Sequence, residues 1–358
     1  MIGRTIAYGV AALAGCLVAA NALAQGALPP KPRDWDKEMT AALQKAKDAA
    51  GFEWLGTLNR LCVLPPSNGA PSTADAVPAY VADPKTAPPR ETWYADPAKV
   101  ADDFYWLGGK VHSAWVFGDE KDGYFLFDQQ YTYNSEELVL GGMKKLGLDV
   151  SKVKYHFTSH DHGDHVGAIQ MINKAAPDAK DVMGTADYQD MLKFPKRNTG
   201  VTPLNPANVI QVDKPTTFTL GSRSVQVIPT PGHTPGTTSY IFTVTDRGKP
   251  LTVAYSGGTA FNFQTDKADP GVPNLQQYIN SNQALADAAM KAKATMLISN
   301  HSEFDMADKK AKMLRGRAAD EANPFALGED WTQRYFQVAI NCAEYKSLQL
   351  QRDAAGGK

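Results

Sequence analysis

Cysteine is scarce in this chain, and neither sign of charge is in excess. Its 358 residues include three cysteines, and 37 basic against 38 acidic side chains leave a formal net charge of −1. A balance of that kind lacks the basic face that nucleic-acid binding needs, so no nucleic-acid partner is expected. Long apolar runs are also missing beyond the first residues, and no stable membrane span is expected. What remains is the composition of an ordinary globular protein, 43% hydrophobic and 21% charged, long enough for one large domain or two smaller ones.

The first 24 residues are the exception. Arg4 is their only charge, residues 6–20 are almost wholly apolar or small, and Ala22-Leu23-Ala24 before Gln25 matches a small-x-small cleavage site. Residues 1–24 are therefore expected to be a secretory signal cleaved after Ala24, which makes the protein periplasmic or secreted. A membrane-anchoring helix is one alternative, but the apolar run is short for it. A lipoprotein acylated at Cys16, within Leu13-Ala14-Gly15-Cys16, is another, but the run continues past Cys16 to the better site. Removing the signal leaves Cys62 and Cys342. Neither lies near a histidine cluster, so neither is expected on a metal. In an oxidising compartment they can pair, tying the N-terminal part to the last helix; two buried thiols are the alternative.

Along the chain, Asp34 can cap a helix with apolar residues at Trp35, Met39, Ala42, Leu43 and Ala46, and Gly51 ends it. A second short helix is expected over 52–61. Residues 65–89 are rich in Pro, Ala, Ser and Asp, and read either as an extended segment overhanging the site or as a disordered linker. From Phe104 the text turns strand-like: 104–107, 112–117 and 124–127, parted by Gly108-Gly109 and by residues 119–123. A helix over 136–146, a strand over 153–158 and a helix over 166–175 follow. Further strands are expected at 181–183, 208–212, 216–220, 224–229, 238–244, 251–255 and 296–299. Helices are expected at 186–192, 275–292 and 331–351. Strands mixed with helices in two similar halves predict a layered α/β fold.

Chemistry concentrates between strand 153–158 and the helix after it. Ser159-His160-Asp161-His162-Gly163-Asp164-His165 holds three of the seven histidines. Imidazoles and carboxylates at this density suit zinc or a similar divalent ion. His160 and His162, two apart on a turn, can face one ion, and the adjacent Asp164 and His165 a second. His233 is set in Pro231-Gly232-His233-Thr234-Pro235-Gly236, a turn that prolines and glycines make rigid. His301 ends the strand 296–299 as His160 ends its own. A lone histidine is usually a satisfied core or surface group, but five at strand ends or on Gly/Pro turns are not explained that way.

In order and separation, these motifs resemble the metallo-β-lactamase superfamily, and most closely its third subclass, which uses histidine and aspartate ligands and no cysteine. The resemblance runs from about Phe104 to the C-terminus. It implies an αβ/βα four-layer sandwich with an N-terminal extension: signal 1–24, helical and Pro-rich extension 25–98, hydrolase domain 99–358. It implies two Zn2+ ions, one on His160, His162 and His233, the other on Asp164, His165 and His301. Asp164 would also orient a metal-bound hydroxide attacking a carbonyl. Asp128 is a candidate partner behind a ligand histidine, or simply a strand-end turn residue.

One departure bears on substrate. Many superfamily hydrolases carry a metal-bridging aspartate where this chain has Gly258, within Ser256-Gly257-Gly258-Thr259. Its absence argues against the glyoxalase and typical lactonase branches and agrees with the β-lactamases. Gly258 and Ala260 also supply no side-chain donor for a β-lactam carboxylate, leaving Ser256 and Thr259 as candidates. The expected function is an exported hydrolase of a small-molecule substrate, opening a β-lactam ring. A zinc-dependent lactonase or esterase is the alternative, and a non-catalytic metal-binding protein a remote one.

Overall fold

The computed structural model describes residues 33–64, 75–261 and 271–356. The expected signal, with Cys16, lies outside the described residues. The chain divides into two units, Met1–Asp34 and Trp35–Lys358, and the architecture that follows is that of the second.

Twelve strands form two sheets among the described residues. The first sheet is β1 (Ala98–Ala101), β2 (Phe104–Trp106), β3 (Trp115–Asp119), β4 (Gly123–Phe127), β5 (Val153–Phe157), β6 (Lys180–Gly184) and β7 (Val209–Val212), side by side in chain order. The pairings are antiparallel from β1 to β4 and parallel from β4 to β7. The second sheet has the order β12 (Met296–Ser299), β11 (Lys249–Ser256), β10 (Thr238–Asp246), β9 (Arg223–Pro229), β8 (Thr216–Leu220). It is an antiparallel meander with β12 added parallel to β11.

The layering follows from the two-residue period of strands, because both faces of each sheet are covered. On β4, Phe125 and Phe127 point into the layer between the sheets, while Tyr124 and Leu126 point the other way. On β10, Tyr240 and Phe242 face the first sheet and Ile241 faces the helices behind. The centre is a stack of rings: Phe127 lies 5.2 Å from Phe157 and 5.0 Å from Phe242. Helices complete the outer layers. Ile169–Ala175 sits with the first sheet through Ile172. Gly271–Lys291 and Glu329–Ala354 sit behind the second through Leu285, Tyr335 and Phe336. This is the expected four-layer α/β sandwich.

Helix Trp35–Ala50 buries Met39, Ala42, Ala46 and Ala50, the face its periodicity predicted. The extension joins the layers behind the second sheet, since Ala46, Ala50 and Trp54 share one core with Tyr335 and Phe336. Cys62 and Cys342 form a disulfide with Cα atoms 5.0 Å apart. Residues 65–74 lie outside the described residues. The following part of the Pro-rich segment carries a short helix, Ala79–Ala82, and hangs over the motif loops.

Three expectations need correction. The strand expected at 112–117 begins at Trp115, because the Gly108-Gly109 turn and a pairing with residues 300–302 take residues 111–113 out of the sheet. The short helix after Gly51 becomes a four-residue turn, Leu55–Leu58, that loosens into a π-helix, Asn59–Val63. Edge strand β1 and helix Ala307–Leu314 were not foreseen; β1 pairs only with β2, and so short a strand gives little period to read.

Candidate metal centre

The site lies at the edge where β5, β9, β11 and β12 end and β10 begins. The strand ends are stitched across the sheets: Thr238 N–H donates to the Ser159 carbonyl at 2.8 Å, and Asn300 Nδ2 donates to the Gly257 carbonyl at 2.7 Å. Every loop carrying a histidine therefore springs from a strand whose end is fixed to another.

His160 Nε2 and His162 Nδ1 stand 3.0 and 3.1 Å from His233 Nε2. The far nitrogens are committed elsewhere: His160 Nδ1 faces the Gly257 carbonyl at 2.9 Å, and His233 Nδ1 bonds the Ala260 carbonyl. That orientation leaves three lone pairs converging on one point. Donors about 2.0–2.1 Å from one zinc ion at tetrahedral corners stand about 3.3 Å apart, so the observed spacing fits one ion. Burial keeps these rings unprotonated, as ligands must be: it draws His162 down to about 4 and His160 and His233 well below their ordinary value.

Beside them, Asp164 Oδ2 lies 3.0 Å from His165 Nε2 and 3.2 Å from His301 Nε2, and the two ring nitrogens are 3.3 Å apart. Two groups of donors thus stand side by side, His160, His162 and His233 in one and Asp164, His165 and His301 in the other. Burial opposes charge on His165, yet the carboxylates of Asp164 and Asp128 outweigh it and push the ring up to about 10. Asp164 is held well below the usual carboxylate range, its own burial outweighed by His165 and His112. Two buried carboxylates asking for positive charge at one spot are what a cation site requires.

Asp128 lies behind His165, with Oδ2 3.4 Å from His165 Nδ1, an ion-pair distance rather than a hydrogen bond. Its Oδ1 accepts from Ser159 N–H at 2.8 Å and its Oδ2 from the Tyr255 hydroxyl. It holds a left-handed backbone, φ +55°, which a non-glycine residue adopts at a cost when its surroundings dictate it. The strand-end aspartate is thus also the group behind His165.

Ser256 and Thr259 do not reach the cavity, which corrects their candidacy for substrate. Each is 2% exposed. Thr259 Oγ1 lies 2.6 Å from the Tyr335 hydroxyl and 3.1 Å from Ser299 Oγ, in a buried network behind the metal loops. The cavity over the histidines, about 520 Å3, is walled instead by Tyr80, Val111, Tyr131, Arg60, Arg197 and Glu303.

The sequence matches the family model of the Metallo-beta-lactamase superfamily over residues 107–296. The chain belongs to that superfamily. It is a metal-dependent hydrolase of the β-lactamase-like kind. Solved structures with the same fold include BJP-1, a subclass B3 metallo-β-lactamase of Bradyrhizobium japonicum. It is 24% identical, the match covers 74% of this chain and 97% of that one, and the TM-score is 0.58. FEZ-1 of Legionella gormanii is 19% identical over 74% of this chain and 98% of its own, with a TM-score of 0.60. GOB-18 of Elizabethkingia meningoseptica is 20% identical over 78% of this chain and all of its own, with a TM-score of 0.57. The resemblance to the third subclass drawn from the motifs therefore holds at the level of fold.

Two residues of this superfamily member's site escaped sequence reasoning. Asp187, on helix Thr185–Lys193, clamps the two motif loops together. It accepts from Thr234 Oγ1 at 2.6 Å, Gly236 N–H at 2.7 Å and Asp161 N–H at 3.2 Å. An acidic residue in a helix's first turn is too common to signal that role. His112 stands with Nε2 3.3 Å from Asp164 Oδ2; its only signal was the double glycine just before it.

Proposed function

We propose that the chain is an exported dinuclear zinc hydrolase that opens a β-lactam ring. The observation carrying this reading is the paired convergence of donors, His160/His162/His233 beside Asp164/His165/His301, under one cavity. Divalent ions held there supply Lewis acidity and lower the pKa of water toward neutrality. The chain's residues do the rest. Asp164 orients the attacking water, and Asp128 supplies negative charge behind His165, 3.4 Å from its Nδ1. Tyr80, Val111 and Tyr131 wall the substrate against bulk water.

Gly258 supports this branch over one with a bridging carboxylate. A Cβ there would stand 2.6 Å from His233 Cβ and 2.8 Å from Thr237 Cγ2, so the backbone is packed for glycine. The anchor for the substrate carboxylate, which Ser256 and Thr259 cannot provide, falls to Arg60 at the cavity wall. Its Nε lies 3.4 Å from Glu303 Oε1, so it is held in place. Residues 25–98 are then an elaboration of the hydrolase domain 99–358 that adds this wall.

A substrate panel on the zinc-loaded mature protein tests the reading. Hydrolysis of a chromogenic cephalosporin, abolished by chelation and restored by zinc, is expected. Turnover of acyl-lactones or aryl esters with none of penicillins or carbapenems would overturn it in favour of a lactonase or esterase. Two bound ions with no turnover on either panel would leave only the non-catalytic reading.

A further inference from the structure

The second cluster of donors contains a histidine that the six-residue set omits. We propose that His112 is a further protein ligand at the second metal position, which would then have four protein donors: Asp164, His165, His301 and His112. This rests on the metal reading of the same site.

The argument begins with crowding around one atom. Asp164 Oδ2 faces His165 Nε2 at 3.0 Å, His301 Nε2 at 3.2 Å and His112 Nε2 at 3.3 Å. A carboxylate oxygen offers about two lone-pair sites, so three ring nitrogens around it are one more than hydrogen bonding accommodates. The crowding makes sense if all four atoms face a shared cation. The ligand atoms of His112, Asp164 and His301 lie within 4.8 Å of one another, and the His112 and His301 rings are 4.7 Å apart.

The backbone shows the same purpose. Val111 carbonyl accepts from Ser302 N–H at 2.7 Å, and Ser113 N–H donates to the Asn300 carbonyl at 2.8 Å. The residues flanking His112 are thus bonded to those flanking His301, in an isolated antiparallel bridge outside either sheet. Gln130 Nε2 donates to the His112 carbonyl at 2.9 Å and to the Gly108 carbonyl at 3.1 Å. The turn leading in requires glycine: Gly109 has φ +109°, and a Cβ there would stand 1.9 Å from the His112 carbonyl oxygen. A bystander histidine on a loop would not need this much fixing. Four protein donors leave a zinc ion fewer positions for water than three do, so the second ion would be retained in dilute metal.

The test uses the full mature chain stripped of metal, as wild type and as His112→Ala, titrated with Zn2+ and with Co2+ against a chromophoric chelator. The variant should keep the first ion at wild-type affinity. It should lose the second by more than the ~10–100-fold that removing an outer-sphere partner costs, with a changed visible cobalt spectrum that millimolar imidazole restores. His112→Asn, which keeps a polar head but cannot span the distance, should behave alike, and thermal unfolding shows that both variants fold. A second-ion affinity within threefold of wild type would overturn the assignment, as would any loss with an unchanged cobalt spectrum, which would make His112 a positioning residue for Asp164. If wild type takes up two ions and the variants match it, only this assignment fails. If wild type takes up none, the metal reading itself fails and this one with it.

Discussion

Replacing Gly258 by alanine adds one methyl group where the structure has no room for it. The new Cβ would stand 2.6 Å from His233 Cβ, 2.8 Å from Thr237 Cγ2 and 3.1 Å from His233 Cγ. Carbon atoms settle at about 3.5–4.0 Å, so something must move by about 1 Å. Thr237 is pinned, its hydroxyl 2.7 Å from Thr234 Oγ1 and 2.9 Å from Thr234 N. The yielding group is therefore His233. Metal ligands tolerate about 0.2 Å of misplacement, so a shift near 1 Å removes His233 from the first position. Overpacking of this kind costs about 1–3 kcal/mol, too little to unfold a chain of this size. Metal analysis after dialysis should find one ion per chain instead of two, with the remaining one at the second position. Circular dichroism should show a folded protein melting a few degrees lower, about 2–4 °C per kcal/mol at most. Gly258→Asp should fare worse and should not gain a bridging ligand. Two ions bound at wild-type affinity in Gly258→Ala would refute the steric reasoning, and with it the structural basis for setting the bridging-carboxylate branches aside.

Other outcomes follow from the same structure. The Cys62–Cys342 disulfide closes a loop of 280 residues, which by chain entropy constrains the unfolded state by up to about 5–6 kcal/mol. Cys62→Ala/Cys342→Ala should melt roughly 5–10 °C lower, and a change under one degree in calorimetry would contradict this. Arg60→Ala should raise KM for a carboxylate-bearing substrate about 10–100-fold, the worth of a charged hydrogen bond, with kcat less affected; an unchanged KM would move the anchor elsewhere. Asp246 bonds Arg317 through both oxygens, at 2.9 and 2.7 Å, and that pairing lowers its carboxyl below the usual range. A depressed folded value stabilises above the unfolded value of about 3.9, and the gain fades as pH falls through the folded one. Asp246→Asn should thus cost about 1 kcal/mol at neutral pH, and denaturant curves of the two proteins should converge in acid.

How much the sequence told depended on how local each feature is. His160, His162, Asp164 and His165 lie within six residues, so their chemistry could be read without knowing the fold. His233 was legible through the prolines and glycines that make its turn rigid. Strands of the second sheet were legible from short apolar or β-branched runs: Thr216–Leu220 and Met296–Ser299 fall on the expected residues. A Cys62–Cys342 disulfide could be expected from the compartment, but two buried thiols stood beside it, since 280 residues separate the pair and only the packing of the helices behind the second sheet brings them together.

The tertiary structure alone decided what depends on contacts between distant segments. His112 looked like the first residue of a strand until the bridge to residues 300–302 drew it beside His301. Asp187 became a clamp only because two motif loops 70 residues apart meet over its helix. Ser256 and Thr259 had suitable hydroxyls, but burial behind Tyr335 spends them on structure. The reaction class was written in adjacent residues, because metal ligands on one turn need no other segment to stand together. The shape and charge of the substrate wall were not, because Tyr80, Arg60 and Glu303 come from three parts of the chain that only the fold makes neighbours.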